Sequence, residues 1–131
     1  MKRSLTLAIL LCATVPSLAQ APDKPCLQQI NMFSFDPVPG NRSLIVVDNR
    51  RRRYRVNFQG PCHDLQFHIG LRFKIFGTSN LSCVERGDQV LTRDVGGPGF
   101  CMIQSVVYQT PDMDKSDAMA AAALKEKRDS H

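Results

Sequence analysis

The sequence predicts an all-β fold, a small antiparallel barrel or sandwich of about six strands held together by two disulfides. Short apolar runs recur along the chain, and several alternate with polar residues at the period of two that a half-buried strand requires. Turns rich in glycine, proline and asparagine separate these runs, and no long amphipathic helix lies among them. These observations favour one β-domain over residues 26–109.

Residues 1–19 are predicted to be an export signal that is removed from the mature protein. A basic start precedes an apolar run from Leu5 to Val15, and small residues follow up to Ala19, where we place the cleavage. Cleavage after Ala21 also satisfies the small-residue rule. The apolar run is short of the roughly twenty residues that cross a bilayer, so we expect no transmembrane segment after cleavage. The mature protein, with residues 20–25 as a short lead, is therefore predicted to be periplasmic or secreted.

Four cysteines follow the predicted signal: Cys26, Cys62, Cys83 and Cys101. An even number in a small exported chain predicts two disulfides, because that compartment is oxidising and a small core gains from cross-links. Three pairings are open, and we favour the nested one. In this pairing, an inner disulfide between Cys62 and Cys83 closes a local loop of the chain, and an outer disulfide between Cys26 and Cys101 joins the first and last strands. No pair has the C-x-x-C spacing of common zinc or thioredoxin-like sites.

Three strands are predicted in the first half of the domain. The first spans residues 26–35, with some helical ambiguity near its start, and the proline- and glycine-rich residues 36–41 end it. Residues 43–48 are apolar on both faces, which indicates a strand inside the sheet. A tight turn at residues 48–50 leads into a basic strand and makes a hairpin. The cationic or polar residues of that strand, Arg53, Arg55 and Asn57, alternate with the apolar residues Tyr54, Val56 and Phe58.

The second half of the domain is predicted to add three more strands. Residues 63–68 form a helical turn or loop, and residues 71–75 alternate as a strand with a second cationic face. The pair Gly87-Asp88 opens the next strand, with the aspartate capping nearby backbone amides. Residues 96–99 are predicted to be a hairpin loop, and Cys101 to Tyr108 the last strand.

The tail, residues 110–131, has a different composition. Its alanine-rich run has high helix propensity but offers little to bury, and an isolated helix of this length is marginal in water. We therefore expect a short C-terminal helix or a disordered tail outside the β-domain.

The chain resembles a family of small exported bacterial proteins that carries only a domain-of-unknown-function label. The residues that carry the resemblance are Tyr54-x-Val56, Gly60-Pro61-Cys62, Cys83 with Gly87-Asp88-x-Val90, and Cys101. The resemblance covers about residues 26–107, and the tail lies outside it. Because that family has no established activity, ligand or catalytic residue, it implies location, size and a cysteine pattern but no chemistry.

The basic strand carries the best candidate for a binding site. Without the signal, 15 of the 17 basic residues remain against 12 acidic ones, and five of the 15 lie in residues 50–55. We expect this face to bind an anionic envelope component, such as a phosphate or lipid headgroup, or an acidic partner protein. The alternative is a solvated sheet face that discourages edge-to-edge association. The candidate anion-binding residues are Arg51, Arg53, Arg55, Arg72 and Lys74, the last two only if their strand is adjacent.

Other kinds of site are not indicated. Nucleic acid is not an expected partner, because Tyr54, the aromatic residue within the cluster, is predicted to face inward and cannot stack on bases. His63 and His68 follow Cys62, but disulfide formation by Cys62 and Cys83 argues against a metal site or a Cys-His nucleophile. We expect no catalytic residue, metal or cofactor, and no enzyme activity. Besides anion binding, the second function hypothesis is an accessory protein whose partner binds a sheet edge or the tail.

Overall fold

A computed structural model describes residues 24–63, 65, 71–77, 81–94 and 97–131, and the side chains of residues 93–98 fall outside the description. The predicted signal, residues 1–19, and His68 also lie outside it. Within the described ranges, six antiparallel strands form one curled, half-barrel sheet in the spatial order β1-β2-β3-β6-β5-β4, which confirms the predicted fold class. The strands are β1 (Met32–Pro37), β2 (Ser43–Asp48), β3 (Arg53–Phe58), β4 (Arg72–Lys74), β5 (Gln89–Asp94) and β6 (Gly97–Tyr108), and helix α1 (Pro111–Asp129) follows them.

The core lies on one side of the sheet. In β3 the side chains of Tyr54, Val56 and Phe58 are buried, which confirms the predicted alternation of this strand. The β2 side chains on the same side, Leu44 and Val46, are fully buried beside them. The rest of the core comes mainly from loops and the other strands: Leu27, Cys62, Leu65, Phe73, Val84, Val90 and Ile103. Burial raises the pKa of the Tyr54 hydroxyl.

The predicted hairpin of β2 and β3 is confirmed, and a buried aspartate closes it. Oδ1 of Asp48 accepts hydrogen bonds from the backbone N–H groups of Arg50 and Arg52 at 2.9 and 2.8 Å. Oδ2 accepts from Nε of Arg52 at 2.8 Å and from the Tyr54 hydroxyl at 3.3 Å. Burial alone would raise the pKa of Asp48, but these bonds outweigh it and hold that pKa below its ordinary value. The carboxylate therefore fixes the shape of the loop at residues 49–51.

The described part of the chain contains two disulfides, as predicted, but the nested pairing is wrong. Cys26 pairs with Cys83, and Cys62 pairs with Cys101, so the two links cross along the sequence. The strand order gives the reason, because β6 lies between β3 and β5 inside the sheet, whereas β1 lies at an edge. The first and last strands are therefore not neighbours.

Each cysteine pairs with the segment that lies beside it. Cys62 follows β3, and β6 with Cys101 runs alongside β3. The segment that precedes β1 lies beside residues 83–84 instead, where the N–H of Val84 donates to the carbonyl of Leu27 at 2.7 Å. Strand neighbours that are distant in sequence thus decide the pairing.

Two predicted boundaries also differ from the structure. The first strand does not begin at Cys26, because residues 29–31 form a 3₁₀ turn and β1 starts at Met32. The predicted loop over residues 96–99 is wrong in part, since β6 begins at Gly97 and its residues 97–99 pair with β5. Pro98 is tolerated there because this end of β6 pairs with β5 alone, the pairing with β3 starting only at Ile103.

The turn before β5 follows the prediction. Gly87 has a φ of 93°, a region that favours glycine. The carboxylate of Asp88 accepts the backbone N–H of Glu85 at 2.8 Å and that of Phe76 at 3.0 Å. This aspartate therefore ties the end of the β4 segment to the start of β5.

Of the two expectations for the tail, the structure has the helix. The Thr110 hydroxyl caps its start by accepting the N–H of Met113 at 3.3 Å, and Pro111 occupies the first turn. Acidic residues in the first turn and basic residues in the last turn suit the helix dipole. No residue of α1 is buried. Within the described ranges, no helix combines the length and the apolar content that crossing a membrane requires.

Candidate functional site

The outer side of β3 presents Arg53 and Arg55, one residue apart on either side of the inward Tyr54. The register places Val47 of β2 opposite Arg53, and Ile45 opposite Arg55. An aliphatic residue therefore flanks each arginine on the same face of the sheet. The strand is cationic on one side and apolar on the other, as its sequence predicts.

Both arginines are paired with aspartates of α1, and we call these contacts the strand–helix ion pairs. The two Nη atoms of Arg53 donate to the carboxylate of Asp114 at 2.6 and 2.9 Å. Nη1 of Arg55 donates to both oxygens of Asp117, at 2.9 and 2.8 Å. The hydrogen bonds from Arg53 hold the pKa of Asp114 below its ordinary value. The tail thus covers part of the face that the sequence presents as free.

A glutamine at the end of β6 connects these two pairs. Nε2 of Gln109 donates to Asp114 at 3.0 Å and to Asp117 at 3.1 Å, and its backbone N–H donates to the carbonyl of Arg53 at 3.0 Å. Its Oε1 is buried and has no hydrogen-bond partner among the described residues. Gln109 therefore aligns the first two turns of α1 with the two arginines.

The other two candidate cations lie elsewhere. Arg72 and Lys74 are exposed on β4, an edge strand that β5 and β6 separate from β3. Nζ of Lys74 lies 5.2 Å from the centroid of the Phe76 ring. Because β4 and β3 are not adjacent, the five candidates do not form one surface.

Arg51 lies in the loop before β3, so strand alternation does not position it. Its φ is 63°, and its N–H donates to the carbonyl of Asp48 at 2.9 Å. Three-residue hairpin loops commonly end in this left-handed conformation and usually place glycine there. The Arg51 side chain is exposed and has no ion pair with any residue that the structure describes, whereas Arg52 next to it is paired with Asp48.

Arg51 and Arg53 meet at a surface cleft of about 400 Å³, which we call the hairpin cleft. Its lining residues are Phe33, Ser34, Val47, Asp48, Asn49, Arg51 and Arg53. The ring of Phe33, 80% exposed, adds a large apolar surface to the same cleft. A cleft of this size and composition can hold an anionic group joined to an apolar group.

The cysteine and histidine residues do not form a thiolate site in the described part of the chain. Cys62 and Cys83 belong to different disulfides, so neither thiol is available to His63 as a metal ligand or nucleophile. His63 is exposed. The four cysteines contribute to the fold through the two disulfides.

Sequence reasoning missed two parts of this site. Phe33 appears in the sequence as one apolar residue of a strand, and the irregularity in β1 between Met32 and Ser34 that accompanies its exposure has no sequence signal. Asp114 and Asp117 are spaced as neighbours on one helix face, three residues apart. That spacing is visible in the sequence, but the arginines that they contact lie more than sixty positions away.

Comparison with known protein families identifies the family of this chain. The model of a family described as "Family of unknown function (DUF6491)" matches residues 1–130. No curated protein and no solved structure matches the chain.

Proposed function

Because the chain belongs to DUF6491, a family of unknown function, its own surface has to indicate what it does, and we propose that it is a binding module for an anionic ligand. The ligand carries a phosphate or carboxylate group joined to an apolar part, and it binds in the hairpin cleft. Arg51 is the observation that supports this most. It keeps a long cationic side chain at a backbone position that favours glycine, a local strain of the kind that is common at functional sites.

The cleft matches such a ligand at both of its parts. The guanidinium groups of Arg51 and Arg53 suit charge-assisted hydrogen bonds to an anionic oxygen. The exposed ring of Phe33 suits an acyl chain or another apolar group. An anionic lipid of the cell envelope combines both parts, and we take it as the ligand class. No catalytic step is part of this proposal.

Co-sedimentation with lipid vesicles tests the proposal. We expect binding to vesicles that contain phosphatidylglycerol, little binding to phosphatidylcholine alone, and weaker binding at high salt. Each cation near an anionic membrane surface contributes about 1 kcal/mol, so Arg51→Gln should weaken binding about fivefold. Phe33→Ser should weaken it without any change in charge.

Arg50→Gln is the matched control for Arg51→Gln. Arg50 is exposed in the same loop and has the same charge, but it does not line the cleft. A smaller loss of affinity in this control supports a defined site. Equal losses in the two variants would mean that only the general positive charge of the loop attracts the vesicle, and the proposed site would be wrong.

The proposal includes a location outside the cytoplasm. The two disulfides are typical of oxidising, extracellular compartments, and residues 1–19 have the composition of an export signal. When the full chain is expressed in a bacterial host, N-terminal sequencing of the protein from the periplasm should begin at Gln20. Recovery of a chain that still begins at Met1 would contradict cleavage.

A second candidate function is that of an accessory protein that binds a partner through α1. Met119 and Leu124 in the second half of the helix are 73% and 50% exposed, and they give a partner protein apolar contacts. Capture of one defined partner by the full chain, and loss of that capture in a variant that ends at Asp117, would favour this function over lipid binding.

A further inference from the structure

Helix α1 is held to the sheet by polar contacts. None of its residues is buried, so no apolar side chain anchors it in the core. The polar contacts that attach it are the two strand–helix ion pairs and the hydrogen bonds of Gln109. The Arg53–Asp114 pair is sensitive to competing ions, because its side chains are 42% and 39% exposed and exposed ion pairs are weak and screened by salt. The Arg55–Asp117 pair is more buried and is screened less.

The attachment also occupies the residues that would bind an anionic group. Asp114 takes two hydrogen bonds from Arg53, and Arg53 lines the hairpin cleft as well. Asp117 occupies Arg55 on the same face of β3. The aspartate carboxylates bind these arginines through anionic oxygens, so the arginine pair recognises anionic oxygens at these positions.

We infer that α1 is a displaceable cover over an anion-binding site formed by Arg53 and Arg55, and that the site takes phosphate groups when α1 leaves it. This inference rests on the proposed function, because a ligand in the hairpin cleft competes with Asp114 for Arg53. The helix is then an internal competitor that lowers the affinity of the cleft for its ligand.

Linkage requires that this competition act in both directions. If α1 weakens ligand binding by occupying Arg53 and Arg55, then bound ligand must weaken the attachment of α1 by the same factor. Removing the two carboxylates should therefore strengthen binding, and adding a phosphate ligand to the unchanged protein should release the helix.

The experiment compares three full-length proteins: the unchanged chain, Asp114→Asn/Asp117→Asn, and Asp112→Asn/Asp129→Asn. Both double variants lose two negative charges, but Asp112 and Asp129 form no ion pair with a sheet arginine whose side chain the structure describes. The difference in binding between the two double variants therefore separates the effect of the helix cover from the effect of net charge. Binding is measured to phosphatidylglycerol vesicles and to inorganic pyrophosphate. Hydrogen exchange of the α1 amides is followed with and without pyrophosphate.

We expect Asp114→Asn/Asp117→Asn to bind at least fivefold more tightly than the control double variant, and pyrophosphate to speed exchange in α1 of the unchanged chain. Tighter binding of pyrophosphate supports a free phosphate as the ligand, and tighter binding of vesicles alone supports a lipid headgroup. Equal binding by the two double variants would overturn the cover and leave the proposed function standing. Absence of binding by all three proteins would overturn both.

A chain that ends at Thr110 keeps the test decisive if the double substitution disturbs folding. It lacks α1, and the core should be intact because no α1 residue is buried. We expect it to bind as tightly as Asp114→Asn/Asp117→Asn. Binding no tighter than that of the unchanged chain would contradict the cover.

Discussion

Arg55 and Asp117 join the middle of β3 to the second turn of α1, with Nη1 of the arginine 2.9 and 2.8 Å from the two carboxylate oxygens. Their side chains are 17% and 18% exposed, whereas those of Arg53 and Asp114 are 42% and 39% exposed. Water screens the Arg55 pair less, so it should contribute more to the attachment of the helix. Removal of one partner also leaves the other charge partly buried and unpaired.

Asp117→Asn is therefore expected to loosen α1 more than Asp114→Asn. The first substitution leaves the guanidinium of Arg55 without its acidic partner on a partly covered face, while the second affects a more exposed pair. Hydrogen exchange of the α1 amides, measured by mass spectrometry, reports the difference. Asp112→Asn is the control, because Asp112 is exposed and its ion pair among the described residues is with Lys115 of the same helix. Equal exchange in Asp117→Asn and this control would contradict the assignment.

The attachment of α1 should also depend on pH in the acid range. Arg53 holds the pKa of Asp114 below 3.8, the ordinary value of an aspartate. A group with a lowered pKa stabilises the folded arrangement fully above its ordinary pKa, and this contribution is lost as pH falls through the lowered value. We expect constant attachment from about pH 5 upward and loss below 3.8. A carbon-detected NMR titration of the Asp114 carboxyl measures this directly, and Arg53→Gln should raise its pKa.

Local patterns in the sequence predict the strands whose buried and exposed positions can be recognised from neighbouring residues alone. The alternation in β3 and the apolar run in β2 each lie within six residues, so both faces of the hairpin can be predicted from the local sequence. The capping role of Asp88 was equally local. The cluster of cations near Arg51 could also be predicted, because these arginines are neighbours in the sequence.

Contacts between distant segments could not be predicted in this way. The pairing of β3 with β6 decides which cysteine meets Cys62, and the alternation within each strand does not show which strand is its neighbour. The match between Asp117 and Arg55 depends on where α1 leaves the sheet after Gln109. The sequence presents the basic face as free, because charge alone does not show which acidic segment folds back on it.

The crossed disulfides make a prediction that peptide mapping can check. Digestion without reduction should release one peptide pair that contains Cys26 and Cys83, and another that contains Cys62 and Cys101. The link with the larger sequence separation, 57 residues, should stabilise the fold by roughly 4 kcal/mol on the chain-entropy model. Replacement of Cys26 and Cys83 by alanine should lower the free energy of unfolding by about that amount. Recovery of a peptide pair that joins Cys62 to Cys83 would contradict the structure.

Asp48→Ala is expected to destabilise the β2–β3 hairpin. It removes the acceptor for two backbone N–H groups of the loop and for the buried Tyr54 hydroxyl. Loss of such an acceptor costs about 1–3 kcal/mol. Urea denaturation should show a lower midpoint with an unchanged slope. Asp36→Ala on β1 is the control, because Asp36 is exposed, and an equal effect there would mean that the loop does not depend on Asp48.

Arg51→Gly is expected to stabilise the fold and to weaken ligand binding at the same time. At a φ of 63°, glycine avoids the steric cost of about 1 kcal/mol that a side chain carries in the left-handed region. The midpoint of urea denaturation should rise, while affinity for phosphatidylglycerol vesicles should fall. Arg50→Gly is the control, since Arg50 does not have a positive φ and glycine there should bring no gain in stability. If Arg51→Gly gains stability and keeps full affinity, the strained arginine has no part in binding. A loss of both stability and affinity would instead assign Arg51 a structural role in the loop.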